Sequence, residues 1–147
     1  MKIKLNSIAR QLHGEIAMEE LFAGELSVAE GLRGSPADDL EDGEVVVLSK
    51  ESWVKVCHET ATELPWLAHG ANLFIKGFEF LPTDIGRTLC IGEAILEIVR
   101  GAEPGACLRQ QAPEIIEALQ MGWRGGVVCR VLRSGNIQTG DDVLLGK

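Results

Sequence analysis

What most constrains this chain is a rhythm of short apolar runs, rich in β-branched side chains, each closed by a turn residue. The runs are Ile3 to Ile8, Val45 to Leu48, Asn72 to Ile75, Ala94 to Val99, Val127 to Leu132 and Val143 to Leu145. Segments this short, with this composition, predict strands rather than helices. Gly43, Gly77, Gly86, Gly92, Gly101, Gly126, Gly135 and Gly140 stand beside them, the punctuation of a barrel or sandwich and not of alternating βαβ units. The expected fold class is mainly β, a barrel with a few short helices.

Three stretches carry helical patterns. Ser49 is an N-cap residue followed by an early Glu51, and Trp53, Val56 and Cys57 then recur at three-and-four spacing, which predicts a helix whose apolar stripe covers part of the barrel. Pro113 to Leu119 places Pro near a first turn, Glu114 at the favourable end of the dipole, and Ile115, Ile116 and Leu119 on one side. Ala17 to Phe22 is a third candidate. Between Gly34 and Glu44 the residues Asp38, Asp39, Glu41, Asp42 and Glu44 leave almost no apolar mass, so a solvated loop is expected there. Gly135-Asn136 and Thr139-Gly140-Asp141 read as tight turns within a terminal β-meander.

With 147 residues the chain falls in the range of one domain, 1–147. No window approaches the roughly 18 apolar residues that span a bilayer, and MKIKLNSIARQ lacks the apolar core of a signal peptide, so the expected location is cytoplasmic. A net charge of −8 opposes nonspecific binding to nucleic acid or an anionic membrane. Trp53, Trp66 and Trp123 lack the spacing of a base-stacking platform and are expected to anchor packing. Neither nucleic acid nor membrane is therefore an expected partner, and the oligomeric state is not legible.

Four cysteines, Cys57, Cys90, Cys107 and Cys129, lie 33, 17 and 22 residues apart. No C-x-x-C pair is present, which argues against a zinc site, and a cytoplasmic chain keeps thiols reduced. Cys129 alternates with Val128 and Arg130 in a strand pattern and reads as core, as do Cys57 and Cys90. Cys107 differs, because GAEPGACLRQQ (101–111) sets it in a Pro/Gly-broken loop with Arg100 and Arg109 nearby. A thiol ligates a soft metal or attacks sulfur as thiolate, which cationic or dipolar neighbours favour. From the residues alone it is either such a thiolate or a small apolar filler.

Several landmarks occur in one order: Gly31-Leu-Arg-Gly34, Val45-Val-Val-Leu-Ser49, Ala71-Asn-Leu-Phe-Ile75 and Ile91-Gly-Glu-Ala-Ile-Leu-Glu97. Glu103-Pro104, Cys107, Trp123-Arg-Gly-Gly-Val-Val-Cys-Arg-Val-Leu132 and Gly135-Asn-Ile-Gln-Thr-Gly-Asp-Asp-Val143 follow. Together the set resembles the MOSC domain, the module named for the C-terminal part of molybdenum cofactor sulfurases, over about residues 14 to 146. The resemblance implies a β-barrel and a role with molybdenum cofactor (molybdopterin) or sulfur; pyridoxal phosphate is not expected within this domain. It makes Cys107 the catalytic thiol, as molybdenum ligand or sulfur carrier, and Asn72 a cofactor contact. Arg109 and Arg124 would supply charge to the pterin phosphate, with His69 as an assisting cation. A sulfur donor or redox protein is the implied partner, and any catalysis would be that of a molybdenum-dependent oxidoreductase component or a sulfur transferase.

The chain departs from the pattern at three places. Gly70 stands where the resemblance expects Arg, the acidic run 38–44 replaces His and Arg residues, and Ala102 replaces a first loop cysteine, with Gly105 and Ala106 added before Cys107. Carboxylates in place of cations near a phosphate turn attraction into repulsion, worth roughly 1 kcal/mol or more per close pair. Arg33, Arg109, Arg124 and Arg130 are the substitutes available. A second reading follows from these departures: a divergent MOSC fold without cofactor, acting as a protein-binding or regulatory module through its acidic loop.

Overall fold

The computed structural model describes residues 2–11, 18–35 and 40–146, and leaves the side chains of Ala106 and Cys107 undescribed. The strands are β1 (Ile3–Gln11), β2 (Met18–Leu21), β3 (Ala23–Ser27), β4 (Gly31–Leu32), β5 (Glu44–Ser49) and β6 (Leu73–Lys76). They continue with β7 (Thr88–Ile91), β8 (Ala94–Gly101), β9 (Val127–Arg133), β10 (Gly135–Gln138) and β11 (Asp142–Leu145). Among the described residues, seven of them run β11-β7-β8-β9-β5-β6-β1 and close through a β11–β1 pairing. This is the mainly β barrel with a few short helices that the punctuation predicts. Each of the six apolar runs supplies one of these strands.

Alternation explains the filling. Leu5, Val47, Ile75, Leu96, Ile98 and Cys129 point inward and are fully buried, as period-2 strands with one buried face require. Among the described residues the only parallel neighbours in the ring are β5 and β6, because between them the chain makes a crossover that includes helix α1 (Lys50–Glu59). Ser49 caps that helix as expected, its Oγ accepting the Ser52 N–H at 3.3 Å. Trp53 and Val56 then pack with Leu48 and Phe74, outward residues of β5 and β6, in one buried cluster.

Several sequence expectations are corrected or refined. Ala17 to Phe22 is not helical where it is described: Met18–Leu21 is strand β2, paired residue for residue with Ile8–Gln11 at the end of β1. Position 17 itself lies outside the described residues. Gly135-Asn136 is no turn but the start of β10, which pairs with β3 in a separate three-stranded sheet β10-β3-β4; the last strands thus part company, β11 joining β1 and β7, and no meander forms. The loop around Cys107 becomes helix α2 (Ala106–Gln111). Pro113 to Leu119 divides into a 3-10 turn, Pro113–Ile115, and α3 (Ile116–Gln120).

Within the acidic run, residues 36–39 lie outside the description. Glu44 does not belong to a solvated loop. It opens β5 with a fully buried carboxylate. No helix among the described residues is long and apolar enough to cross a membrane.

Candidate functional site

The helices α1, α2 and α3 and the 3-10 helix Trp66–His69 share one buried cluster on the β5–β6 wall, and the expected site residues fall around it. His69 is 5% exposed. Its Nε2 lies 2.8 Å from the Gly125 carbonyl oxygen, and because a carbonyl only accepts, Nε2 carries the proton of the neutral ring. Nδ1 is then a bare lone pair, buried and without a hydrogen-bond partner among the described residues. Burial pushes the pKa down to about 4, against the opposing pull of the Gly125 carbonyl. His69 is therefore neutral at pH 7, not the expected cation. The Trp53 ring meets it edge-on, with centroids 5.7 Å apart.

Glycines set the far side of this contact. Gly126 has φ +94, and a Cβ there would lie 2.6 Å from the Val47 carbonyl oxygen, so only glycine lets the 123–126 loop lie flat on β5 and aim the Gly125 carbonyl at His69. Gly101 leaves room for the Trp123 indole, whose Nε1 would be 2.7 Å from a Cβ at that position.

Gly70, beside His69, ends the 3-10 helix in the left-handed conformation, φ 89 and ψ 7. An Arg at this position would meet steric strain in that backbone, so the missing side chain and the local conformation are one departure. Asn72 follows at the start of β6. Its Oδ1 accepts the Val46 N–H at 3.0 Å, and its Nδ2 donates to Ala9 O at 3.4 Å and Ser35 Oγ at 3.5 Å. The Asn72 backbone bonds the same two residues, its N–H donating to Val46 O at 3.0 Å and its carbonyl accepting the Ala9 N–H at 2.8 Å, so main chain and carboxamide together tie β1 to β5.

The cations divide sharply. Arg124 grips Glu59 with two bonds of 2.6 and 3.2 Å, and its Nε and second terminal nitrogen both reach Ala118 O. This clamp ties α3 to the end of α1 and holds the Glu59 carboxyl below the usual carboxylate range. Arg100 is bidentate to buried Glu44 at 2.9 Å twice; the guanidinium holds the Glu44 carboxyl low although burial pulls the other way. Arg33 pairs with Glu25, and Arg130 lies opposite both Glu44 and Glu97. Arg109 differs. Its Nε donates to Pro104 O at 3.1 Å, and it forms no ion pair among the described residues.

Cys107 is the second residue of α2, two positions before Arg109. Helix α2 packs against the 3-10 helix that carries His69, with Leu108 and Ala68 in one buried cluster. The three described thiols are ordinary by contrast. Burial pushes Cys57 up and fully buried Cys129 further up, and Cys90 faces outward on β7, partly exposed.

His69 and the Cys107 helix are thus brought together, Arg109 shares that helix, and Asn72 and Arg124 are committed elsewhere. Sequence reading missed Glu44 and Glu59 as the carboxylates that hold Arg100 and Arg124. Glu44 carried a signal, since it directly precedes an apolar run. Glu59 carried none.

Among the described residues no three His, Cys, Asp or Glu side chains come together as a metal cage. Surface concavities of about 440 Å³ (lined by Gly92, Asn136, Gln138 and Asp141 among others) and about 480 Å³ (lined by Trp53, Cys57, Leu64 and Pro65 among others) take in none of His69, Asn72, Arg109 or Arg124.

Comparison with known proteins places this geometry. A family profile described as MOSC domain matches residues 13–144. The structure is similar to the YUAD protein of Bacillus subtilis, with a TM-score of 0.79 at 15% identity over 100% of this chain and 97% of that one. It is similar to YiiM of Geobacillus stearothermophilus, TM-score 0.72 and 16% identity over 99% and 75% of the two chains. YiiM of Escherichia coli gives 0.67 and 16% over 100% and 70%. At these identities the structural likeness speaks for the fold alone. A search of curated proteins found no match.

Proposed function

The chain belongs to the MOSC domain family, and from that premise we propose that it is a sulfur carrier whose reactive group is the Cys107 thiolate, with molybdenum cofactor as the acceptor to which the family points. The observation that carries this reading is the buried Nδ1 of His69, without a hydrogen-bond partner among the described residues, on the segment against which the Cys107 helix packs. A buried acceptor without a donor costs about 1–3 kcal/mol, a cost that a bound polar group would relieve. The position of Cys107 in the first turn of α2 and the nearness of Arg109 in sequence favour the thiolate.

In the transfer the Cys107 thiolate attacks the outer sulfur of a donor persulfide. The S–S bond of the donor breaks, the donor leaves as a thiolate, and Cys107 becomes the persulfide. The donor is a partner protein or small molecule bearing such a sulfur.

A resident pterin cofactor fits less well. Its phosphate needs fixed cations, yet Arg100 and Arg124 are held by carboxylates, Asn72 is committed to backbone and Ser35, and His69 is neutral at pH 7. The same commitments favour a second reading, a MOSC fold that serves as a protein-binding module without sulfur chemistry.

One experiment separates these readings. The protein and its Cys107→Ser variant are purified from cells that make the cofactor, treated with inorganic polysulfide as the sulfur source, and assayed for cyanide-labile sulfur, molybdenum and pterin. Stoichiometric labile sulfur that Cys107→Ser abolishes, with no retained pterin, is expected. Labile sulfur unchanged by the substitution overturns the proposal in favour of the binding module. Co-purifying molybdenum and pterin that depend on Cys107 overturn it in favour of a resident cofactor.

A further inference from the structure

A buried imidazole with one nitrogen engaged and the other bare has the form of a metal ligand awaiting its ion. In His69, only 5% exposed, Nε2 donates to the Gly125 carbonyl at 2.8 Å, and Nδ1 has no hydrogen-bond partner among the described residues. Metal-ligating histidines are held in this way: the other ring N–H goes to a backbone carbonyl or similar acceptor, which fixes tautomer and ring orientation. The two nitrogens diverge from one ring, so Nδ1 opens away from Gly125. The hold is rigid, because Gly126 at φ +94 sets the Gly125 carbonyl and Trp53 meets the imidazole edge-on.

Helix α2 packs against the segment that carries His69, and Cys107 is its second residue. A thiolate and a bare imidazole nitrogen are both Lewis bases. Brought together on packed elements, they need an acid between them. A thiol S–H is a weak donor, whereas a soft metal ion takes a lone pair from each.

Charge balance selects the ion. The buried side chains of this cluster, Trp53, Ala68 and Leu108 among them, are apolar. A monovalent cation between one thiolate and one neutral imidazole leaves no net charge there, while a divalent ion leaves a positive charge that apolar surroundings penalise. A closed zinc site would need three ligands besides Cys107, and among the described residues no three His, Cys, Asp or Glu side chains come together.

We propose that His69 Nδ1 and the Cys107 thiolate form a two-coordinate site for a soft monovalent cation, copper(I). No electron moves on binding: the thiol proton goes to solvent, and the cation accepts one lone pair from sulfur and one from nitrogen. The cation site stands on His69 and does not need the sulfur-carrier reading. Only its consequence rests on that reading: a bound cation withholds the Cys107 lone pair from a donor persulfide and blocks sulfur loading.

Anaerobic titration with copper(I), buffered by a coloured copper(I) chelator and followed by nitrogen NMR of isotope-labelled protein, tests this. One ion per chain is expected, with the His69 Nδ1 resonance displaced and Nε2–H still bonded. Cys107→Ser and His69→Leu should each weaken binding by about a hundredfold or more, beyond what loss of an outer-shell partner alone costs. His69→Met, whose thioether also suits copper(I), retains it, and Cys90→Ser on β7 leaves the affinity unchanged. Thermal unfolding of each variant checks its fold, and the Nδ1 resonance of the parent protein needs no variant. An Nδ1 resonance unmoved by bound copper(I), binding indifferent to Cys107→Ser, or zinc held as tightly as copper(I) overturns the proposal. Polysulfide loading separates the two readings. Copper(I) binding without labile sulfur removes the sulfur carrier and keeps the cation site; labile sulfur without copper(I) binding does the reverse.

Discussion

On the β5–β6 wall the outward side chains Leu48 and Phe74 disappear beneath helices, while on the β11-β7-β8-β9 wall the outward Leu144 and Leu132 stay open to solvent. Both walls grow from the same strand alternation, so the strands do not decide which face is covered. The connections do. The crossover from β5 to β6 lays α1 on one wall, and the segment between β8 and β9 lays α2 and α3 there too, whereas the turns joining β7 to β8 and leading into β11 are too short to cover the other. The covered wall consequently holds buried polar groups, His69 and Asn72, each needing a partner. On the open wall the outward Leu144 and Leu132 reach water instead.

Substitutions on the two walls should therefore differ most in their effect on unfolding. Trp53→Ala removes a buried indole that donates to Leu64 O and packs on His69, and is expected to cost about 3–5 kcal/mol in urea unfolding. A loss below about 1 kcal/mol would erase the contrast. The next effect is one of pH. The His69 pKa falls from 6.5 to about 4 in the folded protein, so between those values the unfolded chain binds a proton that the folded one does not. Stability is complete above about pH 6.5 and falls as pH drops toward 4, by roughly 3 kcal/mol. His69→Gln should flatten that slope, and an unchanged slope would place its origin elsewhere.

Asn72→Ala leaves the half-buried Val46 N–H without its side-chain acceptor and should cost about 1–3 kcal/mol, while labile sulfur on Cys107 persists. Lost sulfur loading in a folded Asn72→Ala protein would return Asn72 to the site. The smallest effect belongs to the open wall: Leu144→Ser should change monomer stability by less than about 0.5 kcal/mol. A larger loss would show that this face is already packed within one chain.

The covered wall was only partly legible in the sequence. The Ser49 cap and the Trp53, Val56 spacing are local signals, and α1 forms where they place it. Met18-Glu-Glu-Leu has no strand alternation of its own and extends only because the end of β1 offers it a ladder. Gly135-Asn-Ile-Gln likewise looks like a turn until distant β3 pairs with it. The site failed to show for the same reason. Arg124 and His69 have the composition of an anion site, but their roles depend on Glu59 and the Gly125 carbonyl, each more than fifty residues away, and on a burial that removes the charge of the imidazole. Glu44 was hidden by the acidic residues before it, although its place at the head of an apolar run is the mark of a strand residue.

The most direct test of the sulfur-carrier account is peptide mapping by mass spectrometry after brief polysulfide treatment and trapping of persulfides. The account predicts the added sulfur on the peptide containing Cys107, ahead of Cys57 and Cys129, whose thiols burial pushes up, and of the partly exposed Cys90. Sulfur found first on Cys90, or distributed without preference among the four, would contradict it.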